Sequence, residues 1–213
     1  MAEVTNATLG SLSGKVGTVV AANWRDIAYL RGTGRKRKNA PTEKQEEVRM
    51  KFSLMTDFLG GLKGVIEAGF KYKYTGRATA LNLGVKANMA AFTGTYPDLQ
   101  INYPAIVFSA GKLGLVTDAA LDSTEPKKLS LTWKPLTEAA GNSMADELTV
   151  VIYNPRQKLL VVLEKKAVRG DLSLEISLPD SFEGEEVFGY LFLTGAQSKR
   201  NSPTAFLGSV VVL

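Results

Sequence analysis

Apolar positions in this chain follow two different spacings, one helical and one extended. Between residues 48 and 66 they recur every three or four residues, at Val48, Phe52, Met55, Leu59, Leu62 and Ile66. This spacing predicts a helix with one apolar stripe. Thr42 followed by Gln45 predicts its start as a capping box, and the Gly60-Gly61 pair predicts a kink or an end. The stripe itself predicts either intramolecular core or a contact between subunits.

From about Lys128 the apolar spacing becomes two residues, which is typical of β-strands. The predicted strands cover residues 129–133, 148–152, 159–163, 172–178, 187–193 and 206–213. Turn signals such as Asn154-Pro155 and Glu183-Gly184 separate them. Six or seven short strands at this interval predict an antiparallel β-sandwich with an immunoglobulin-like arrangement. Trp133 is predicted to be its central core aromatic, and the last strand is predicted to pair within a sheet.

Residues 2–34 form a glycine-punctuated arm. Its apolar residues predict two short strands, about Lys15–Ala22 and Asp26–Arg31, joined as a hairpin near Asn23-Trp24. The GSLSGK segment from Gly10 to Lys15 lacks the spacing of a phosphate-binding loop, so a glycine-rich turn is the better interpretation. An arm with so little bulk cannot pack well alone, and we expect it to lie on a neighbouring subunit.

The middle of the chain predicts a second helix and a short extended segment. The helix is predicted over residues 76–93, with Leu81, Val85, Met89 and Phe92 on one side. Residues 101–108, broken by Pro104, predict an edge strand. The predicted fold class is therefore α+β: a Gly-rich N-terminal β-arm, a two-helix middle segment and a C-terminal antiparallel immunoglobulin-like β-sandwich. The predicted domains are residues 1–100, with the arm and helices, and 101–213, with the sandwich.

Two absences in the composition restrict the chemistry. The 213 residues include no Cys and no His. Disulfides, thiolate nucleophiles and Cys-zinc sites are thereby excluded, and the commonest general base and metal ligand is missing. We therefore expect a non-enzymatic protein without a cofactor. No apolar run reaches 18 residues and the start resembles no secretory signal, so a cytoplasmic location or incorporation in a virion is expected, without a membrane span.

Positive charge is concentrated in the first third of the chain. Residues 1–74 contain 13 Lys or Arg and 7 Asp or Glu, whereas the remainder contains 13 and 14. The candidate residues for binding nucleic acid or another anionic partner are Arg25, Arg31, Arg35, Lys36, Arg37, Lys38, Lys71 and Lys73. Such contacts would be made to phosphates and would not read sequence. The competing interpretation is a solvated loop whose cations only aid solubility.

Several segments together resemble a known family. They are GSLSGKVGTVV, NWRDIAYLR, PTEKQEEVRMKFSLMTDFLGGLKGVI, TGTYPDLQINYPAIVFSAGKL and the final SPTAFLG strand. The chain resembles a family of uncharacterised proteins of Bacteroidota and their phages and mobile elements, over nearly its whole length. The resemblance implies a bacterial or phage origin and supports the order of elements. It supplies no activity and no catalytic residues.

Three functions are compatible with these patterns. The favoured one is a structural or assembly protein, such as a component of a phage virion, that self-associates as a homo-oligomer or with other subunits through its arm and helix. The second is a nucleic-acid-associated protein. The third is an enzyme, or a related carbohydrate-binding protein, that uses carboxylates from the set Asp118, Asp122, Asp146, Glu183, Glu185 and Glu186, although these form no recognisable motif.

Overall fold

The chain divides into two units, residues 1–42 and 43–213. A computed structural model describes residues 2–3, 13–24, 27–34, 39–73, 78–136 and 141–213. The predicted boundary near residue 100 separates the helices from the sandwich, whereas the structure groups them in one unit. The reason is that the helices share a hydrophobic core with one sheet of the sandwich.

The first unit contains a four-stranded antiparallel sheet. Its strands are β1 (Ala2–Glu3), β2 (Gly14–Val16), β3 (Val19–Trp24) and β4 (Ile27–Gly32), in the order β1-β4-β3-β2. The predicted hairpin between β3 and β4 is confirmed. The single strand predicted over Lys15–Ala22 is wrong, because a turn at Gly17-Thr18 divides it into β2 and β3. Gly17 has φ +60°, a left-handed conformation that ends the strand.

Three helices follow: α1 (Glu43–Gly60), α2 (Lys63–Phe70) and α3 (Ala80–Asn88). The predicted start of α1 after Thr42 and its end at the glycine pair are confirmed. The helix predicted over residues 76–93 is shorter, although residues 76–77 lie outside the described part. It starts at Ala80, where the Thr79 hydroxyl accepts from the Asn82 amide at 3.1 Å, and it ends at Asn88, whose buried side-chain amide bonds to the backbone of Val107 at 2.7 and 2.8 Å. Within the described part of the chain, no helix is long and apolar enough to cross a bilayer.

The segment between the helices and the sandwich is mostly irregular. Two short strands pair there, β5 (Phe92–Thr93) and β6 (Gln100–Ile101). The strand predicted over residues 101–108 is wrong, because a 3₁₀ turn at Tyr103–Ala105 follows β6 directly. Beyond the turn, the amides of Phe108 and Ser109 donate to the hydroxyl of Thr204 at 2.8 Å, so a side chain satisfies these donors in place of a strand.

Seven strands form two packed sheets. They are β7 (Thr117–Glu125), β8 (Lys128–Lys134), β9 (Glu147–Asn154), β10 (Leu159–Val168), β11 (Ser173–Ser177), β12 (Glu186–Thr194) and β13 (Ala205–Val211). One sheet has the order β11-β8-β7 and the other β10-β9-β12-β13. Their facing sides enclose one core that includes Leu131, Val150 and Leu191. Trp133 lies in this core, 4% exposed, and the final strand pairs with β12, so both predictions are confirmed.

Strand β7 was not predicted from the sequence. Its pairing with β8 shifts between Thr117 and Ala120 and again between Asp122 and Glu125. Asp118 has φ 50° beside the first shift. Because each bulge reverses the side-chain alternation, no period-two pattern survives along the strand.

The helices form a third layer on the four-stranded sheet of the sandwich, β10-β9-β12-β13. The outer face of that sheet meets the helices in a second core, which includes Met55, Leu59, Ile66, Phe70, Val151, Tyr153, Tyr190 and Phe192. The C-terminal part of the predicted apolar stripe is therefore intramolecular core. Its first two members differ, since Val48 is 56% exposed and Phe52 54% exposed.

Candidate functional site

The N-terminal sheet has no buried residue among residues 13–24 and 27–34. Val16 is 82% exposed, Val19 41% and Trp24 38%. In contrast, the second unit contains two hydrophobic cores of fully buried side chains. The described part of the first unit thus contains a sheet but no buried core.

The strand register distributes apolar side chains to both faces of this sheet. Paired residues lie on the same face, so Val16, Val19 and Leu30 share one face with Ala21 and Ala28. The other face has Val20, Ala22, Trp24, Ile27 and Tyr29. A sheet that is apolar on both faces is typical of sheets covered on both sides.

Two cations lie at one end of the second face. Lys15 and Arg31 both pair with Val20, one from each neighbouring strand. Their backbones are thus about 10 Å apart, since adjacent strands are separated by about 4.8 Å. Arg31 is the predicted binding residue that the structure describes in this unit. Arg25, Arg35, Lys36, Arg37 and Lys38 lie outside the described residues.

The other two predicted cations belong to the second unit, in a 3₁₀ turn at Lys71–Lys73 that continues α2. The Lys71 ammonium lies 5.6 Å from the centre of the Tyr72 ring. Lys71 also lines a cleft of about 560 Å³ whose walls include three carboxylates, from Glu67, Glu147 and Glu164, and a second cation, Lys165. This cleft has mixed charge, and Lys165 is already paired with Glu147 at 2.7 Å.

Lys73 lines a different cleft, of about 360 Å³, which we call the basic cleft. Among the described residues, its charged lining consists of Lys73, Lys112, Lys199 and Arg200, with no carboxylate. Tyr72 forms part of the wall of both clefts. Within the parts of the chain that the structure describes, no carboxylate forms an ion pair with any of these four cations.

A hydrogen-bond framework holds the three walls of the basic cleft together. The buried amide of Asn201 donates to the carbonyls of Ala68 and Gly69, each at 2.7 Å. The Ser109 hydroxyl is within 3.1 Å of the Gly69 carbonyl and 2.7 Å of the Ser202 carbonyl. The end of α2, the segment before β7 and the β12–β13 loop are thereby fixed to one another.

Three of the four cleft cations were missed from the sequence. Lys112 is an isolated lysine beside Gly111, and Lys199-Arg200 is a basic pair in a short loop. Neither resembles a binding motif, because the cluster forms only when distant segments meet. The Lys-Arg dipeptide is the one signal that could have indicated it.

The carboxylates considered for catalysis have structural partners or lie exposed. Asp146 is buried and bonds to the buried guanidinium of Arg169 at 3.1 Å. Three exposed or partly exposed ion pairs, Asp118–Lys134, Glu183–Lys127 and Glu185–Arg156, have separations of 2.9–3.4 Å. Among the described residues, no group of three or more acidic side chains is placed to hold a metal ion.

The tyrosines with shifted pKa values belong to the packing of the second unit. Burial raises the pKa of Tyr190, whose hydroxyl donates to the Tyr103 carbonyl at 2.8 Å. Burial likewise raises the pKa of Tyr153. A hydrogen bond with Glu46 raises the pKa of Tyr96. All three hydroxyls therefore stay protonated near neutral pH, which suits packing and hydrogen bonding better than proton transfer.

These features define a class of protein: an antiparallel β-sandwich backed by helices and preceded in the chain by a small sheet whose residues 13–24 and 27–34 include no buried one. The chain belongs to DUF6266, a family of unknown function whose profile matches residues 11–208. This match confirms the resemblance to a family of uncharacterised proteins, whereas the origin in Bacteroidota and their phages stays a prediction. No curated protein gives a significant match.

Several solved structures are similar to part of the chain. The FN1–FN3 domains of chicken CNTN1 are 11% identical over 48% of this chain and 33% of that chain, with a TM-score of 0.33. The fn3 domain of the human collagen alpha-1(XX) chain is 14% identical over 49% and 91%, with a TM-score of 0.31. The adhesin domain of Epf from Streptococcus pyogenes is 18% identical over 48% and 33%, with a TM-score of 0.31. The match thus spans about a third of the chicken chain.

Proposed function

We propose that this protein is a non-enzymatic assembly subunit whose N-terminal sheet docks on another subunit. The observation that carries the proposal is the lack of any buried residue in the described part of that sheet, together with apolar side chains on both of its faces. A sheet with an apolar face must bury that face against another element to be stable. A neighbouring subunit would supply that packing.

The first helix supports the same function. Val48 and Phe52 are one helical turn apart on α1 and are both more than half exposed. Residues at this spacing share one face of a helix, so they form a small apolar patch. In this proposal the patch provides a second apolar contact with another subunit.

The sandwich has a supporting role in the proposal. It has one sheet of three strands and one of four, and we assign this arrangement to the immunoglobulin-like class, in which each sheet has one face in a common core. Following the bacterial or phage origin that the family resemblance implies, we propose a phage virion or similar particle as the assembly. The subunit would be cytoplasmic before it is incorporated.

Replacing Val16 with aspartate is expected to weaken self-association at least tenfold. Val16 is 82% exposed on edge strand β2, so a carboxylate there costs the unassembled sheet little. In an assembled interface the charge would be desolvated without a partner, which costs more than about 1.4 kcal/mol, the equivalent of tenfold in affinity. Sedimentation velocity over a concentration series measures the change.

The matched control is Val211→Asp. Val211 is also an exposed valine in a strand, 58% exposed, but it lies in the sandwich. It is expected to leave association unchanged. Equal effects of the two substitutions would contradict docking through the N-terminal sheet.

A second candidate function is contact with nucleic acid through the basic N-terminal region. It is favoured by the placement of Lys15 and Arg31 on one face, either side of Val20. Residues 1–42 also contain seven Lys or Arg and two Asp or Glu. The difference between these numbers equals the net charge of the whole chain, +5. Replacing both cations with glutamine is expected to reduce the salt slope of oligonucleotide binding by about two, one for each lost phosphate contact. An unchanged slope would exclude this face from the contact.

A further inference from the structure

The basic cleft is a local excess of positive charge in a unit whose charges balance as a whole. Of the 26 Lys or Arg and 21 Asp or Glu in the chain, residues 43–213 hold 19 of each. Four of those cations nevertheless line one cavity, and no carboxylate from the described part of the chain lines it with them. Like charges around one cavity repel, and an anion between them would relieve that repulsion.

Several other cations of the same unit are paired with carboxylates. Lys63, Lys127, Lys128, Lys134, Arg156 and Lys165 each have a carboxylate oxygen within 4.0 Å. The cleft cations have no such partner among the described residues, and all four are exposed to solvent. Their charge is therefore available to a ligand.

The cleft is also held in shape before any ligand arrives. The carbonyl of Asn201 accepts from the Leu113 amide at 3.0 Å, and the carbonyl of Arg200 accepts from the Gly195 amide at 2.9 Å. These bonds fix the backbone directly after Lys112 and at Arg200-Asn201. A site whose backbone is already ordered loses less conformational entropy on binding.

We propose that the basic cleft binds phosphate groups carrying several negative charges. A planar guanidinium such as that of Arg200 can donate two parallel hydrogen bonds to one phosphate. The ammonium groups of Lys73, Lys112 and Lys199 add compact charges around it. A volume of about 360 Å³ lies within the range of small-molecule sites, so the cleft can admit an oligophosphate or one or two nucleotide units of a strand.

This site is distinct from both proposed functions. It lies in residues 43–213, whereas the docking sheet and its two cations lie in residues 1–42. Substitutions in the cleft leave the N-terminal sheet unaltered, so failure of the cleft proposal leaves the assembly proposal standing.

The test uses the full chain and two probes, pyrophosphate by calorimetry and a single-stranded oligonucleotide of about 12 nucleotides by fluorescence anisotropy. Both are measured at about 0.05 M salt, where screening is weak. The double substitution Lys199→Gln/Arg200→Gln is expected to weaken binding at least about tenfold, since each lost charge-assisted hydrogen bond contributes about 1.5–3 kcal/mol. Circular dichroism is expected to stay unchanged, because both side chains are exposed.

The matched control is Lys86→Gln/Lys158→Gln, which removes the same charge from exposed positions that do not line the cleft. It is expected to change either affinity less than about threefold, through long-range charge alone. If Lys199→Gln/Arg200→Gln weakens the binding of pyrophosphate only, the ligand is a free oligophosphate. If it weakens the binding of the oligonucleotide only, the ligand is a nucleic-acid backbone. Binding of neither probe, or equal effects of the two double substitutions, overturns the proposal.

Discussion

Replacing Arg169 with methionine is expected to lower the free energy of unfolding by about 3–5 kcal/mol, because it leaves the buried Asp146 carboxylate without its counter-charge. Both side chains are at most 1% exposed, and a guanidinium nitrogen of Arg169 lies 3.1 Å from a carboxylate oxygen of Asp146. The guanidinium also donates to the carbonyls of Gly114, Leu115 and Leu136 at 2.7–3.3 Å. Methionine fills some of the volume but satisfies none of these acceptors.

Arg156→Met is the control for this prediction. Arg156 also bonds to a carboxylate, that of Glu185 at 3.0 Å, but its side chain is 79% exposed. Exposed ion pairs contribute about 0–1 kcal/mol, so only a small loss is expected. Urea denaturation of both variants decides the matter, and equal losses would contradict the role of Arg169 as a buried anchor.

Replacing Gly111 with alanine is expected to destabilise the second unit by about 1–3 kcal/mol and to weaken phosphate binding at the basic cleft. A Cβ atom at this position would lie 1.8 Å from the Asn201 carbonyl oxygen. The two backbones would have to separate, which breaks the hydrogen bond from Leu113 to that carbonyl. The movement would also displace Lys112 from Arg200.

Gly60→Ala is the control, because a Cβ atom there meets nothing within 4 Å. Thermal melting and pyrophosphate titration of the two variants measure stability and binding separately. Gly60→Ala is expected to match the parent protein in both. A Gly111→Ala protein that also matched the parent in both would contradict the close crossing of the two segments.

The sandwich could be predicted where each strand buries one face without interruption. Leu129, Leu131 and Trp133 alternate with more exposed residues along β8, and their burial follows the sequence pattern directly. Strand β7 could not be predicted, because its two bulges remove the alternation. A bulge depends on the partner strand as well as on the local sequence, so it leaves little trace in the sequence.

The ends of α3 and of the segment after β6 could not be predicted, because both take part in hydrogen bonds with distant segments of the chain. α3 ends where the Asn88 amide bonds to Val107, and the segment after β6 is satisfied by Thr204. Val107 and Thr204 are each distant in sequence from the residues to which they bond. Local propensity predicts that a helix exists near residue 80, but tertiary hydrogen bonds decide its length.

The N-terminal sheet and the basic cleft also differ in how far the sequence reveals them. The sequence predicts a basic, bulk-poor arm, and Val16, Val19 and Trp24 are indeed exposed in the sheet it forms. The basic cleft could not be predicted, because Lys112 and Arg200 meet only through the crossing at Gly111. A charge run is visible in a sequence, whereas a charge cluster built from three segments is visible only in a structure.

The central claim is that the N-terminal sheet is stabilised by another subunit. The most direct test is the native mass of the full chain by light scattering over a concentration series, at about 0.05 and 0.5 M salt to separate apolar from electrostatic association. The account predicts a mass of at least two copies of the 23.0 kDa chain that persists at high salt, because the contact would bury the exposed apolar side chains Val16, Val19 and Trp24, whose burial does not depend on charge. A mass of 23.0 kDa at every concentration and both salt levels would contradict it.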